Sequence, residues 1–154
     1  MRTERAAQLI RAARTDVGMT LSSIAASSGI EHDTIAAYEN GERRPTPEDL
    51  ARIMKAAGTR PSIPLAVYAD EVIAAAHRFR LENVRVFGST IRGHDTADSD
   101  IDLLVSLTPA TSLFDLGGFA HAAESITGFP VDILTDDLDG DVHFRHVLDD
   151  AVPL

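Results

Sequence analysis

Apolar positions recur at helical spacing from the start of the chain. Ala6, Leu9, Ile10, Ala13 and Val17 share one side of a helix over residues 3–17. A second helix opens at "TLSSIAASS", with Thr20 as its N-cap and Leu21, Ile24 and Ala25 turned inward. Gly29 supplies a tight turn, because glycine accepts positive φ at little cost. "EHDTIAAYENG" predicts a third short helix, stopped near Gly41. "TPEDLARIMKAAG" predicts a fourth: Thr46 is the cap, Pro47 opens the first turn, and Glu48 and Asp49 sit at the positive helix end. Leu50, Ile53, Met54 and Ala57 form its buried stripe, and Gly58 ends it.

The period changes after "GTRPSIP", residues 58–64, whose two prolines resist helix continuation. A boundary near residue 60 divides the chain into a helical unit, 1–60, and a second unit, 61–154. In the second, residues 64–80 predict a helix with Leu65, Val72, Ile73, Ala76 and Phe79 on one side. "NVRVFG", "SDIDLLVSL" and "FPVDILT" predict strands, while "SLFDLGGFAHAAESITG" and "DVHFRHVLDD" predict helices. Strands alternating with helices in so short a segment indicate a small α/β domain with a short mixed sheet, and an α+β chain overall.

Charge separates the same two units. Residues 1–60 hold nine Arg and Lys against eight Asp and Glu, whereas residues 61–154 hold five against sixteen. The second unit therefore repels bare nucleic acid and needs bridging cations to hold a polyanion. The absence of Trp and an aromatic share of 5% argue against a base-stacking platform. Without cysteine there are neither disulfides nor thiolate metal sites. No apolar run approaches membrane-spanning length and "MRTERAAQ" lacks a signal-peptide core, so the expected location is cytoplasmic, with no membrane partner.

The acids of "FGSTIRGHDTADSDIDLLV" do not fit a buried strand. Asp100 and Asp102 are one residue apart, so a strand projects them to one face while Ile101 and Leu103 take the other. Two carboxylates about 6–7 Å apart on one strand repel, and each raises the pKa of the other. A divalent cation between them reverses that penalty. Asp132 lies between Val131 and Ile133 in the same manner. If the two strands pair, three carboxylates converge, enough for two Mg²⁺ ions about 3.5–4 Å apart. Gly88 at a strand end lets backbone approach a ligand, Ser89 adds a hydroxyl and Arg92 a planar cation. The assembly suits a nucleoside triphosphate, with phosphate donors on the loop and metal on the carboxylates.

Gly-Ser, ten intervening residues and then Asp-x-Asp resembles the signature of the polymerase-β nucleotidyltransferase superfamily. Within it, the short chain, "GS..RG" and the ending "HVLDDAVPL" are similar to the minimal nucleotidyltransferases (MNT) of HEPN–MNT toxin–antitoxin pairs, over about residues 66–154. That resemblance implies that Asp100, Asp102 and Asp132 bind Mg²⁺, with Asp132 assisting deprotonation of the nucleophile. It implies that Gly88, Ser89 and Arg92 hold the triphosphate of ATP. The implied activity is AMP transfer to a tyrosine of a HEPN-type ribonuclease toxin, silencing it, in a homo- or hetero-oligomer.

"MTLSSIAASSGIEHDTIAAYENGERRPTPEDLARIMKAAG" resembles the Xre (Cro/repressor-like) helix-turn-helix family, with "YENGERRP" its most telling piece. The resemblance implies that the third helix, near residues 31–40, enters the major groove of operator DNA. His32, Thr34, Arg43 and Arg44 are the DNA-contacting residues it points to. This chain departs from that pattern in opening the helix with Glu31, His32 and Asp33 and placing no Lys or Arg on it. Two other readings stay open: a DNA-binding transcriptional regulator whose nucleotidyltransferase-like domain only binds nucleotide or partner, and a transferase acting on RNA or a small molecule.

Three further features read as ordinary surface. His94 is a solvated loop residue, His143 and His146 are a surface pair without a partnering motif, and "TDDLDGD" is an acidic turn lacking the calcium-loop pattern.

Overall fold

The computed structural model describes residues 3–137, 142 and 144–154. Four helices come first: α1 (Thr3–Asp16), α2 (Leu21–Ser28), α3 (His32–Glu39) and α4 (Pro47–Ala56). Their ends follow the predicted caps. The Thr20 side chain accepts from the Ser23 amide, and the Ser23 hydroxyl completes the capping box. Gly29 closes α2 at φ 71°, and Thr46 accepts from the Asp49 amide at the start of α4. Ile10, Ala13, Ile24, Ile30, Ile35, Tyr38, Ile53 and Ala57 form the shared core of these helices, while Leu50 and Met54 are only half-buried against it.

One charged pair is built into this core. Glu39, buried at the end of α3, receives Arg14 Nη2 at 3.0 Å and Nε on its other oxygen. That guanidinium is held more firmly protonated than usual, chiefly by the hydrogen bond to Glu39. Removing one partner leaves the other charge desolvated and unpaired, so Glu39→Ala is expected to destabilise the helical unit by about 3–5 kcal/mol. Urea unfolding followed by circular dichroism measures that loss.

The predicted helix over 64–80 is in fact two, α5 (Ser62–Val67) and α6 (Ala69–Arg78). They break at Tyr68, where φ −105° and ψ 18° leave the helical well. The Tyr68 amide still closes on Pro64, while its carbonyl accepts from Glu71 and Val72 as the next helix begins. Tyr68 is buried at the junction, so tertiary placement of its ring wins over continuing one helix.

Strands β1 (Leu81–Phe87), β2 (Ile101–Leu107), β3 (Val131–Thr135) and β4 (Val152–Pro153) make one mixed sheet in the order β3-β2-β1-β4. The short β4, antiparallel to β1, has no counterpart in the sequence expectation. β1 and β2 are antiparallel, and a short 3-10 turn (Gly88–Thr90) leaves the end of β1. β2 and β3 are parallel, joined by α7 (Leu113–Thr127). α8 (Phe144–Asp150) precedes β4. A bulge in β1 between Glu82 and Arg85, with Asn83 at φ 52°, lets Leu81 and Val84, three residues apart, both reach the core. That core packs Ile101, Leu103, Val105, Val84, Val86 and Val131 of the sheet against Val72 and Ala76 of α6 and Phe119 and Ala123 of α7.

α7 runs unbroken through its two glycines. Ser112 and Asp115 form its capping box and Gly128 ends it at φ 79°. Gly118 is where α7 meets Phe79: a Cβ there would stand 2.4 Å from the Phe79 ring. Among the described residues no helix is long and apolar enough to cross a membrane.

Candidate active site

The sheet turns one face toward the helices α6 and α7, and alternation along β2 sends Asp102 to the other. In the parallel register Asp102 stands beside Asp132, and across the antiparallel pair it stands beside Phe87, the residue before the turn Gly88–Thr90. Two carboxylates from neighbouring strands thus meet the Gly88–Thr90 turn at one end of the sheet.

Asp100 differs from the expectation. β2 begins at Ile101, so Asp100 lies one residue before the strand and is exposed. Its charge is nevertheless felt at Asp102. Burial, then the Asp132 charge, then the Asp100 charge push the Asp102 carboxyl above its ordinary value. Three acids therefore share one electrostatic neighbourhood, with the half-buried Asp102 at its centre.

Gly88 fits against this centre with no room to spare. It adopts φ 78°, and a Cβ built on it would lie 2.3 Å from Asp102 Oδ2. Only glycine lets the turn and the carboxylate coexist. The Ser89 carbonyl accepts from the amides of Arg92 and His94, at 3.2 Å each, folding the next residues back over the turn. The Thr90 hydroxyl is buried there without a hydrogen-bond partner among the described residues. Arg92 reaches away from the turn, its Nη2 donating to Asp150 Oδ2 of α8 at 2.7 Å, with both side chains largely exposed.

Oxygen-only donors suit a hard cation such as Mg²⁺. The registered pair Asp102–Asp132, with Asp102 destabilised as an anion, fits that role by its chemistry. Among the described residues no three His, Cys, Asp or Glu side chains are already gathered about one point.

The same sheet face carries a second polar group. Asp136, at the end of β3, receives Arg85 of β1 and the hydroxyl of Ser106 of β2. The first acid of "TDDLDGD" is thus tied to the sheet, and Asp137 accepts from the Thr135 hydroxyl at 2.6 Å. Asp139, Asp141 and His143 lie outside the described residues. His94 and His146 are exposed. One loop residue went unnoticed in the sequence: Asp95, whose side chain is fully buried amid exposed neighbours. No local pattern marks it, since its partners lie more than thirty positions away.

In the helical unit, His32 is exposed with Nδ1 on Asp33, Thr34 is half-buried, and Arg44 is exposed. Arg43 lies over the Tyr38 ring, 5.7 Å from its centroid.

Comparison with known proteins divides the chain in the same order. Residues 10–63 match the helix-turn-helix family model, and residues 73–151 match the nucleotidyltransferase domain model. The protein adenylyltransferase MntA of Thermococcus cleftensis is 34% identical over 70 residues, spanning 42% of this chain and 71% of the relative. A solved structure described as a minimal nucleotidyltransferase superposes with a TM-score of 0.54 at 34% identity, covering 58% of this chain and 92% of the other.

Proposed function

The chain belongs to the nucleotidyltransferase domain family, and from that premise we propose that it is the antitoxin of a toxin–antitoxin pair. In this reading residues 61–154 form the transferase unit and residues 1–60 the helix-turn-helix unit. The enzyme moves AMP from ATP to a tyrosine of a HEPN-type ribonuclease toxin. The observation that carries it is the strand register setting Asp102 beside Asp132, with Gly88 of the adjoining turn packed directly against the Asp102 carboxylate.

The transfer breaks the bond between the α-phosphorus and the pyrophosphate oxygen and forms one to the tyrosine oxygen. The phenol proton leaves toward the base, for which Asp132 is the candidate, being an exposed acid beside the site. Asp100, Asp102 and Asp132 would hold Mg²⁺, which when bound offsets charge developing on the phosphate oxygens. Gly88 and Ser89 present backbone and hydroxyl donors to the triphosphate. Arg92 joins them by exchanging its exposed partner Asp150 for phosphate, a small cost for a solvated pair. The protein's share is positioning and electrostatics, as in other phosphoryl transfers.

Incubating the purified chain with the adjacent toxin, Mg²⁺ and ATP labelled on the α-phosphate tests this reading. Label is expected on a toxin tyrosine, with release of toxin inhibition when that tyrosine becomes Phe. Neutralisation without any label, unchanged in the Asp102→Ala variant, would sink the enzymatic version and leave complex formation. The helix-turn-helix match supports a second role, repression of the chain's own operon. A mobility shift with upstream DNA and its salt slope measures it.

A further inference from the structure

The loop from Gly88 to Asp100 carries every residue assigned above to the phosphates and one of the acids, yet it has little holding it. Between Arg92 and Asp98 a single residue, Asp95, is buried. On either side the chain makes two small local turns: His94 N to the Ser89 carbonyl at 3.2 Å, and Ser99 N to the Thr96 carbonyl at 2.9 Å, with the Ser99 hydroxyl capping the Thr96 amide. Such turns shape the loop but do not fasten it to the body. Ile91 at its start packs on the sheet core, the Arg92–Asp150 pair is exposed, and the fully buried polar tie in its middle is Asp95.

Its partners come from the segment joining the two units. Arg60 Nη1 donates to Asp95 Oδ1 at 2.9 Å, and the Ser62 amide donates to Oδ2 at 2.8 Å. Arg60 in turn grips Asp16, at the end of α1, through Nε at 2.9 Å and Nη2 at 2.8 Å. Hydrogen bonding from Arg60 holds the Asp16 carboxyl below its ordinary value. One guanidinium therefore spans the last turn of the first helix and the middle of the loop that precedes β2. A carboxylate with 0% side-chain exposure is tolerable only while both oxygens stay paired. The loop position is thus conditional on where Arg60 is placed, and Arg60 is placed by the helical unit.

We propose that Asp95 and Arg60 are a positioning pair that sets the 88–100 loop, so that the helical unit governs nucleotide affinity in the transferase unit. This rests on the loop being the nucleotide site, as argued above. Neither residue touches the substrate; both act through Gly88, Ser89 and Asp100. When the pair breaks, only a fraction of molecules keep the binding-competent loop, and apparent affinity falls by that fraction. Turnover of the molecules that do bind is less affected. The helical unit also gains a path by which its own ligand, by shifting α1, would alter the loop.

The full-length chain is compared with Arg60→Gln, Asp95→Asn and Asp16→Asn, each checked for an unchanged circular dichroism spectrum. Hydrogen exchange of the 88–100 amides is the first readout and needs no nucleotide. Exchange about tenfold faster or more is expected for Arg60→Gln and Asp95→Asn, with a smaller increase for Asp16→Asn. The second readout is the KM for Mg-ATP, expected to rise about tenfold with kcat changing less. Unchanged loop exchange in Arg60→Gln and Asp95→Asn would overturn the anchor. A loosened loop with unaltered KM would overturn the positioning role. No effect from Asp16→Asn would overturn the coupling to α1. A wild-type chain that binds no Mg-ATP would instead bring down the functional reading itself, while the exchange experiment still decides the anchor.

Discussion

Asp102→Asn is expected to reduce AMP transfer about a hundred- to a thousandfold, the scale lost when one preorganised electrostatic contact is removed from an active site. The same change is expected to make the metal-free protein more stable at neutral pH. Both effects come from one cause. Burial and the charges of Asp132 and Asp100 raise the Asp102 pKa in the fold. A raised carboxyl contributes stability that is fully present below the ordinary carboxylate range and lost as pH rises through the folded pKa. At neutral pH the ionised Asp102 is therefore a net cost. Asparagine keeps the shape without the charge, so its gain is expected to shrink and vanish as the medium is acidified into the carboxylate range. Added Mg²⁺ is expected to raise the unfolding temperature of the parent chain, because an ion that binds only the folded state stabilises it, and to do so much less in Asp102→Asn. Thermal scans at two pH values, with and without Mg²⁺, read all three outcomes. A variant that stays active, or one destabilised at neutral pH, would contradict the assignment.

That acid stands out in the sequence because it places a charge inside an otherwise apolar strand, and Asp132 stands out likewise. Their adjacency is another matter. It depends on β2 and β3 pairing in parallel through α7, a long-range event that no local window encodes. The same division holds through the fold. Thr20, Gly29 and Thr46 mark helix ends by chemistry acting within three or four residues, and the observed caps follow them. Tyr68 breaks a helix with no glycine or proline at the break, because burial of its ring is decided by distant neighbours. β4 is two residues including a proline, too short to show a period, and exists only because β1 offers an edge. Arg92 illustrates a limit of motif reading: its type suits a phosphate, while in the free protein it is engaged by Asp150, fifty-eight positions away. Arg60 and Asp95 lay beyond reach altogether, since a polar loop residue and a linker arginine look solvated until the fold brings them together.

Gly88→Ala is expected to lower AMP transfer about a hundredfold, the cost of displacing a reacting group by about an ångström. Two penalties are mixed in such a variant, and a second glycine separates them. Gly88 and Gly93 both sit at positive φ, 78° and 67°, so alanine at either strains the backbone by about 1–2 kcal/mol. At Gly93 a Cβ meets nothing within 4 Å, whereas at Gly88 it would lie 2.3 Å from Asp102 Oδ2. The carboxylate can escape only by rotating away from the turn, which removes it from the place where Asp132 and the Gly88–Thr90 turn meet. Backbone strain alone therefore predicts similar losses in both variants, in stability and in activity. Collision with Asp102 predicts similar losses in stability but a transfer defect confined largely to Gly88→Ala. Single-turnover transfer measured beside urea unfolding distinguishes the two. Equal transfer defects at the two positions would mean that Gly88 serves only the backbone turn, and that the close contact with Asp102 has no part in catalysis.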